Sequence, residues 1–447
     1  MHPSFYLVVG LGKTGHSIAR YLQRRNLPFV MFDTRLTPAG LAPFHAEFPD
    51  VEVFTNTLPS ERLKQFTCIV TSPGVSLDEP IIQEAKALGI PVWGDVECFA
   101  REVQVPVIAI TGTNGKSTVT SLVGEMAKSA GLSVAVGGNI GTPVLDLLDD
   151  GVHYDLWVLE LSSFQLDLIE SLAPAAATIL NITPDHLDRH HDFEAYVRAK
   201  HRIYNCAKAI VYNREDEFTR PHASMLTQEV RLFSVGLDSS SSDWGIIKGD
   251  FDAYLTFGDK RILPVNALKI QGQHNWFNAL VACALANAVG IDMTSMRNVL
   301  TCFGGLPHRS QLIRSIDGVD WINDSKGTNV GATVSAIAGI GTHTKGKIVL
   351  IAGGQGKGAD FNELSVPVSH HVRSVVLIGE DADQIEQALM HVVPVLRASS
   401  MEEAVMVARH QAEQGDVVLL SPSCASFDMF RDFNHRGEVF TSLVNAL

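Results

Sequence analysis

Residues 106–131 read PVIAITGTNGKSTVTSLVGEMAKSAG, an apolar run suited to a strand, a turn punctuated by glycines, and a stretch of helical period. A turn placed between strand and helix in this way has the parts of a phosphate cradle. Gly112 and Gly115 allow the backbone N–H groups of Thr113 and Asn114 to converge on anionic oxygens, and the following helix turns its positive end toward them. Lys116 reaches the outer phosphates, while Ser117 or Thr118 offers a hydroxyl to magnesium. The longer GxxxxGK[ST] pattern is not met, because Ile110 stands five before Gly115, and the loop is the shorter GxxGKS form. A tight turn alone would need neither the lysine nor the two hydroxyls, so ATP is the expected ligand.

The same strand, glycine turn and helix also open the chain. FYLVVGLGKTG (5–15) is followed by the amphipathic HSIARYLQRR and a second strand, FVMFD, and TCIVTSPG and IPVWGD supply further strands. GLGKTG (10–15) fits G-x-G-x-x-G, and Asp33 closes the next strand. The fingerprint selects a pyrophosphate at a helix N-terminus, which a nicotinamide dinucleotide and a UDP-linked substrate both carry.

Near REVQVP the pattern restarts, and DLWVLEL and ATILNIT continue a larger α/β unit that ends in an Ala-rich helix beginning near HNWFNALVACALANAVG. Its later part includes GLDSSSSDWGIIKGD, read as loop and hairpin. After GLPHR, the strands KIVLIAGG, SVVLIGE and DVVLLSPS alternate with DADQIEQAL and MEEAVMVARHQAEQ. The expectation is a three-domain α/β protein: a Rossmann-like domain over 1–95, a central ATPase-like domain with a mainly parallel sheet over 96–305, and a second Rossmann-like domain over 306–447.

Composition narrows the function classes. The 447 residues are 46% hydrophobic and 19% charged, and the net charge of -14 offers no global basic field to nucleic acid or to an anionic membrane. The six cysteines (Cys68, Cys98, Cys206, Cys283, Cys302, Cys424) form no CxxC pair and read as small buried residues in a reducing compartment. The N-terminus lacks a basic leader and a cleavage site and reads as a strand, and no 18-residue apolar run occurs, so membrane insertion is not expected. A cytoplasmic location and a monomer are separate expectations.

GTNGKST (112–118), LELSSFQL (159–166), NITPDHLDRH (181–190) and RAKHRIY (198–204) together resemble the Mur ligase superfamily, which also includes folylpolyglutamate synthetases. The resemblance implies ATP-dependent amide formation through an acyl phosphate. It implies catalytic roles for Lys116, Glu160, His186 and Lys200, and two magnesium ions held by Ser117, Glu160, His186 and a carbamate on Lys200. Asn275, Asn278, His308, Arg309, Asp324 and Lys326 are implied to complete the ATP site begun by residues 112–118. In the first domain it implies UDP-substrate contacts from Lys13, Thr14, Asp33, Thr34, Arg35, Ser72, Pro73 and Gly74, joined by Asn139.

NDSKGTNVGAT (323–333), GGQGKGADF (353–361) and SPSCASFDMFRDFNHRGEVF (421–440) resemble the members that add D-glutamate to UDP-N-acetylmuramoyl-L-alanine in peptidoglycan precursor synthesis. They imply a D-glutamate site from Thr328, Lys357, Ser426, Phe427 and Phe433. Gln311, where an acidic residue often follows HR, and Gln355, where GGDGKG is usual, depart from the family pattern and receive no role. The competing classes are another amide ligase of the superfamily, separable by its amine donor, a nicotinamide-dependent oxidoreductase suggested by GLGKTG alone, and a nucleotide sensor without turnover. Self-capping of the Asp33–Arg35 turn, helix capping by Asn275, and a cap plus core aromatic at Ser426 and Phe427 are the structural alternatives for those residues.

Overall fold

The computed structural model describes residues 5–226, 229–249, 252–270, 272–342 and 344–447. They form three sheets in series. The first sheet runs Val53–Thr55, Phe29–Asp33, Tyr6–Val9, Cys68–Thr71, Val92–Trp93, all parallel. Its strands are near-continuous apolar runs because helices cover both faces.

The central sheet places Val107–Thr111 between Leu156–Glu160 and Ala176–Ile179, all parallel. Val134–Gly138 lies beyond one side, and Ala209–Asn213 and Arg231–Val235 continue the other. A hairpin of Trp244–Lys248 with Ala253–Phe257, followed by Lys260–Pro264, ends the sheet antiparallel. The helix Lys116–Ser129 buries Val119, Leu122, Val123 and Met126 in one core with the helix Gln273–Ala288. Each such side chain contributes about 1.5–3 kcal/mol, which fixes the helix whose first turn carries Lys116 and Ser117.

The third sheet orders Gln311–Ile316, Val319–Asn323, Val417–Leu420, Ile348–Gly353, Val372–Ile378 and Val395–Arg397, with only its first pair antiparallel. In every sheet the strand that precedes a glycine loop (Tyr6–Val9, Val107–Thr111, Ile348–Gly353) is an inner strand with a parallel neighbour on each side. Each glycine loop therefore leaves the carboxyl end of an inner strand, the edge at which α/β sheets bind ligands.

The first two units share one buried apolar cluster, which includes Val8, Ile18 and Leu22 of the first and Leu145, Trp157 and Leu159 of the central one, and charge pairs add to it. Arg20 pairs with Asp146 at 2.7 Å, while Asp149 receives Arg24 at 3.0 Å and Arg25 at 2.8 Å. All three arginines lie on or just after the helix Lys13–Arg24, and both aspartates lie on or beside the helix Val144–Leu148. Among the described residues, no helix is long and apolar enough to cross a membrane. Cys206 and Cys302 are exposed, the other four cysteines are buried, and all six are free thiols.

Candidate active site

The phosphate loop has a backbone that only glycine allows. Gly112 has φ +152°, and a Cβ there would lie 2.9 Å from the Leu180 Cβ. Gly115 has φ +83°, and its Cβ would lie 2.6 Å from the Asn278 side-chain oxygen. Asn278 is thus packed on the loop, and it donates to Asn275 at 3.3 Å. The helix is capped by Gly272 without a side-chain bond, so Asn275 lies inside the first turn and is not its cap.

Lys116 Nζ curls back onto the carbonyls of Gly112 and Thr113, both at 2.8 Å. Asn181 clamps the loop from the next strand, accepting from the Asn114 N–H at 2.8 Å and donating to its carbonyl at 3.2 Å. Thr113 Oγ1 accepts from the Thr183 N–H at 3.1 Å, and Thr118 is buried in the first helical turn.

Ser117 Oγ donates to Glu160 Oε2 at 2.5 Å and accepts from Arg309 at 2.6 Å, and Asn139 donates to the other Glu160 oxygen at 3.1 Å. Both Ser117 and Glu160 are buried, so two hard oxygen donors converge where magnesium would be chosen over softer metals. Their chemistry fits the ion. Lys200 is also buried, donating to the Gly112 carbonyl at 2.9 Å with its ammonium 4.6 Å from the Tyr196 ring centroid. Burial and the neighbouring Lys116 hold its pKa well below the usual lysine range.

His186 adopts φ +55° and is one-third exposed, with Nε2 3.8 Å from Asp185 and its ring 5.1 Å from Phe164. Among the described residues, no three His, Cys, Asp or Glu side chains are grouped to hold a metal. The direct meeting of implied metal ligands is therefore Ser117 with Glu160.

The third unit faces this loop. Asp324 is buried and accepts from Ser310 N–H at 3.0 Å and Ser421 Oγ at 2.7 Å, and desolvation raises its pKa to about 6. The Lys326 ammonium lies 3.9 Å from the Phe433 ring centroid. Burial and the nearby cations Arg309, Lys116 and Lys357 bring its pKa down to about 8. Lys116, Arg309, Lys326 and Lys357 thus form a local positive field in an acidic chain.

His308, at φ +61°, presents Nδ1 to the Asn323 amide at 3.0 Å. Its own N–H donates to Gln311 Oε1 at 3.0 Å, so the departure at Gln311 supplies an acceptor that an acid would also supply. Gln355 exchanges backbone bonds with Ala425 and donates its amide to Glu380 at 3.0 Å. Thr328 is half-buried beside Lys326, and Lys357 is exposed at φ +54°. Ser426 is buried, with its carbonyl accepting from Phe430 N–H at 2.8 Å. Phe427 is 68% exposed and is not a core aromatic.

In the first unit a Cβ on Gly15 would lie 1.8 Å from the Gly10 carbonyl oxygen, so helix and loop touch backbone to backbone. Asp33 accepts from Leu11 N–H at 2.7 Å and takes Arg35 in a two-point pair at 2.8 Å on both arms. The turn does cap itself, with Thr34 between the paired residues, and the same carboxylate pins the glycine loop. Lys13 reaches across to the Gly141 carbonyl at 3.0 Å, placing Thr14 at the start of the loop's helix. Ser72 is buried against Gly10, and Arg189 holds the carbonyls of Gly74 and Val75 at 3.1 and 3.0 Å. Pro73, Phe164, Arg189 and Arg202 line a cavity of about 460 Å³ between the first two units. Asn181 and Arg189 were not singled out from the sequence, since a side chain that braces backbone leaves no periodic signal.

Three family models match in series: "Mur ligase MurD-like, N-terminal domain" over 4–94, "Mur ligase middle domain" over 110–286, and "Mur ligase, glutamate ligase domain" over 308–424. The chain is 64% identical over 448 residues to a UDP-N-acetylmuramoylalanine–D-glutamate ligase of Legionella pneumophila (strain Paris), covering all of both chains. It is 48% identical over 444 residues to the ligase of the same name from Pseudomonas aeruginosa, covering 99% of this chain and 98% of that one. Among solved structures, the UDP-N-acetylmuramate-alanine ligase of Thermotoga maritima superposes with a TM-score of 0.62 at 18% identity, covering both chains fully. A pseudomurein peptide ligase type C from Methanothermus fervidus gives 0.60 at 17%, covering 99% of each. These two structures establish the three-unit fold.

Proposed function

The chain belongs to the Mur ligase family, and on that premise we propose its reaction: it joins D-glutamate to UDP-N-acetylmuramoyl-L-alanine with hydrolysis of ATP to ADP and phosphate. It is an ATP-dependent ligase of peptidoglycan precursor synthesis. The observation that carries this is full-length identity of 64% and 48% to ligases of that name, on a chain whose phosphate loop faces a cluster of cations from the third unit. Neither a folylpolyglutamate synthetase nor a nicotinamide-dependent oxidoreductase is favoured by these relatives.

The parts are assigned as follows. Residues 1–95 take the UDP-linked substrate through Lys13, Thr14, Asp33, Thr34, Arg35, Ser72, Pro73 and Gly74, with Asn139 from the central unit. Residues 96–305 take ATP through the loop 112–118, Asn275 and Asn278, and residues 306–447 add His308, Arg309, Asp324 and Lys326. D-glutamate binds Thr328, Lys357, Ser426, Phe427 and Phe433, with Lys357 paired to a carboxylate. A monomer is proposed as the working unit. ATP and a nucleotide sugar as substrates support a cytoplasmic setting.

The substrate carboxylate oxygen attacks the γ-phosphorus, and ADP leaves with the bridging oxygen. The D-glutamate nitrogen then adds to the acyl-phosphate carbon, loses its proton, and phosphate departs. Lys116, Arg309 and Lys326 hold phosphate oxygens in line and offset the negative charge gathered there. Magnesium held by Ser117 and Glu160, with His186 and a carbamate on Lys200 as further ligands, would neutralise phosphate oxygens, and two ions are proposed.

Lys200 is proposed to carry a carbamate, formed when its neutral amine adds to the carbon of CO2 and releases a proton. A buried amine lying beside Lys116 supports this, because carbamylation replaces a like-charge neighbour with an attractive one.

The test is phosphate release from ATP with UDP-N-acetylmuramoyl-L-alanine and magnesium, comparing D-glutamate, L-glutamate, lysine and alanine. Release that depends on D-glutamate and is lost in Lys116→Ala is expected. Equal release with alanine, or full activity of Lys116→Ala, would overturn the assignment.

A further inference from the structure

Asn329 belongs to the third unit, yet its side chain reaches two residues of the central one. Its amide nitrogen donates to Asp185 Oδ2 at 3.2 Å and to Asn114 Oδ1 at 3.4 Å. Its amide oxygen accepts from the Ala332 N–H at 2.9 Å and so caps the helix Val330–Gly341. One side chain therefore starts a helix and bridges two domains, with donor and acceptor ends used separately.

The partners are held in place from behind. Asn114 has both main-chain polar groups clamped by Asn181, which fixes the direction of its side chain. Asp185 precedes His186 and accepts that residue's N–H at 3.0 Å. Packing agrees with the bridge, since a Cβ on Gly331 would lie 3.4 Å from Thr183 Oγ1 and 3.7 Å from the Asn114 amide. The helix start thus rests on the phosphate loop, with Thr328 one residue before the bridge.

We infer that Asn329 is a positioning residue that latches the third unit onto the phosphate loop, so that D-glutamate bound near Thr328 is presented to the acyl group formed at that loop. The inference rests on the ATP and D-glutamate assignments above. The latch adds free energy only when the units are together, so removing it raises the D-glutamate concentration needed for closure. The nucleotide contacts made by the central unit, through the loop 112–118 with Asn275 and Asn278, do not depend on the latch, whereas those of His308, Arg309, Asp324 and Lys326 follow closure.

Capping and bridging separate by substitution. N329S keeps a capping oxygen and loses the amide donor, whereas N329D caps at least as well and sets a carboxylate against Asp185. The KM for D-glutamate is expected to rise about tenfold in N329S, a ratio that fits the loss of two long hydrogen bonds, at 3.2 and 3.4 Å, and about a hundredfold in N329D. In N329S, kcat at saturating D-glutamate remains near wild type and the equilibrium affinity for ADP falls by less than the KM for D-glutamate rises, and both variants keep the wild-type urea midpoint.

Phosphate release is measured against D-glutamate on the full chain, and ADP binding by titration. If the wild-type chain shows no D-glutamate-dependent release, the functional assignment fails and not the latch alone. With the wild type active, an unchanged KM in both variants overturns the latch. So does a fall in kcat at constant KM, or a loss of ADP affinity in N329S as large as the rise in KM.

Discussion

Lys116 and Lys200 donate to the same oxygen, the carbonyl of Gly112, at 2.8 and 2.9 Å. Two buried amines on one neutral acceptor is an unfavourable arrangement for two cations, and burial lowers the pKa of both. The acids that act on them, Glu160 and Asp185, offset this only in part. The geometry suits one amine that stays cationic for phosphate and one that becomes an anion by taking up CO2.

Replacing Lys200 by alanine should therefore cut D-glutamate-dependent phosphate release by about 100-fold or more, a loss typical of one electrostatic group in a catalytic site. Acetate or propionate at millimolar level should restore part of it, because a free carboxylate can occupy the vacated position. Mass spectrometry of the wild type under CO2 should find the adduct on the peptide containing Lys200. Full activity of the alanine variant would sink the carbamate assignment.

Lys326 gives a pH dependence. Its pKa of about 8 in the free protein means it is charged below that value and loses its charge above it. A phosphate contact needs the charged form, so kcat/KM for ATP should fall on the alkaline side with an apparent pKa near 8. Lys326→Arg, which stays protonated, should flatten that limb. An identical alkaline limb in the arginine variant would show that another group titrates.

The three glycine loops and their flanking strands were legible because tight turns and apolar runs are local patterns. Several strands were not, among them Val53–Thr55, Val134–Gly138 and the hairpin Gln311–Ile316 with Val319–Asn323. These are short, or partly exposed on one face, and so lack a continuous apolar run. In the site, Ser117 with Glu160 could be paired by family resemblance, and the structure joins them directly. Asn181, Arg189 and Asn329 could not be found that way, since their work is to brace backbone and bridge units across long sequence separations.

Gln311 yields a prediction about a residue without an assigned role. Its side-chain oxygen accepts the His308 N–H, a task that needs only an acceptor. Gln311→Glu should be near neutral in stability and activity, while Gln311→Leu should cost about 1–3 kcal/mol by leaving that N–H unsatisfied. Urea midpoints compare the two, and equal loss in both would mean that the amide nitrogen matters.

The magnesium assignment can be tested without altering a ligand. Gly138 ends the strand beside Glu160 at φ +95°, and a Cβ there would lie 2.2 Å from the Glu160 carbonyl oxygen. Backbone cannot yield as a side-chain tip can, so Gly138→Ala must move the strand end that carries Glu160 relative to Ser117. Supporting groups of this kind change metal affinity by about 10–100-fold, and the magnesium concentration for half-maximal activity should rise by that factor. Ser117→Ala should raise it as well, because one of two converging oxygens is gone, and combining the two changes should give less than the product of their separate effects. A magnesium titration at saturating ATP reads all three. If Gly138→Ala lowers activity with the magnesium midpoint unchanged, the Ser117–Glu160 pair is a structural hydrogen bond and the ion lies elsewhere.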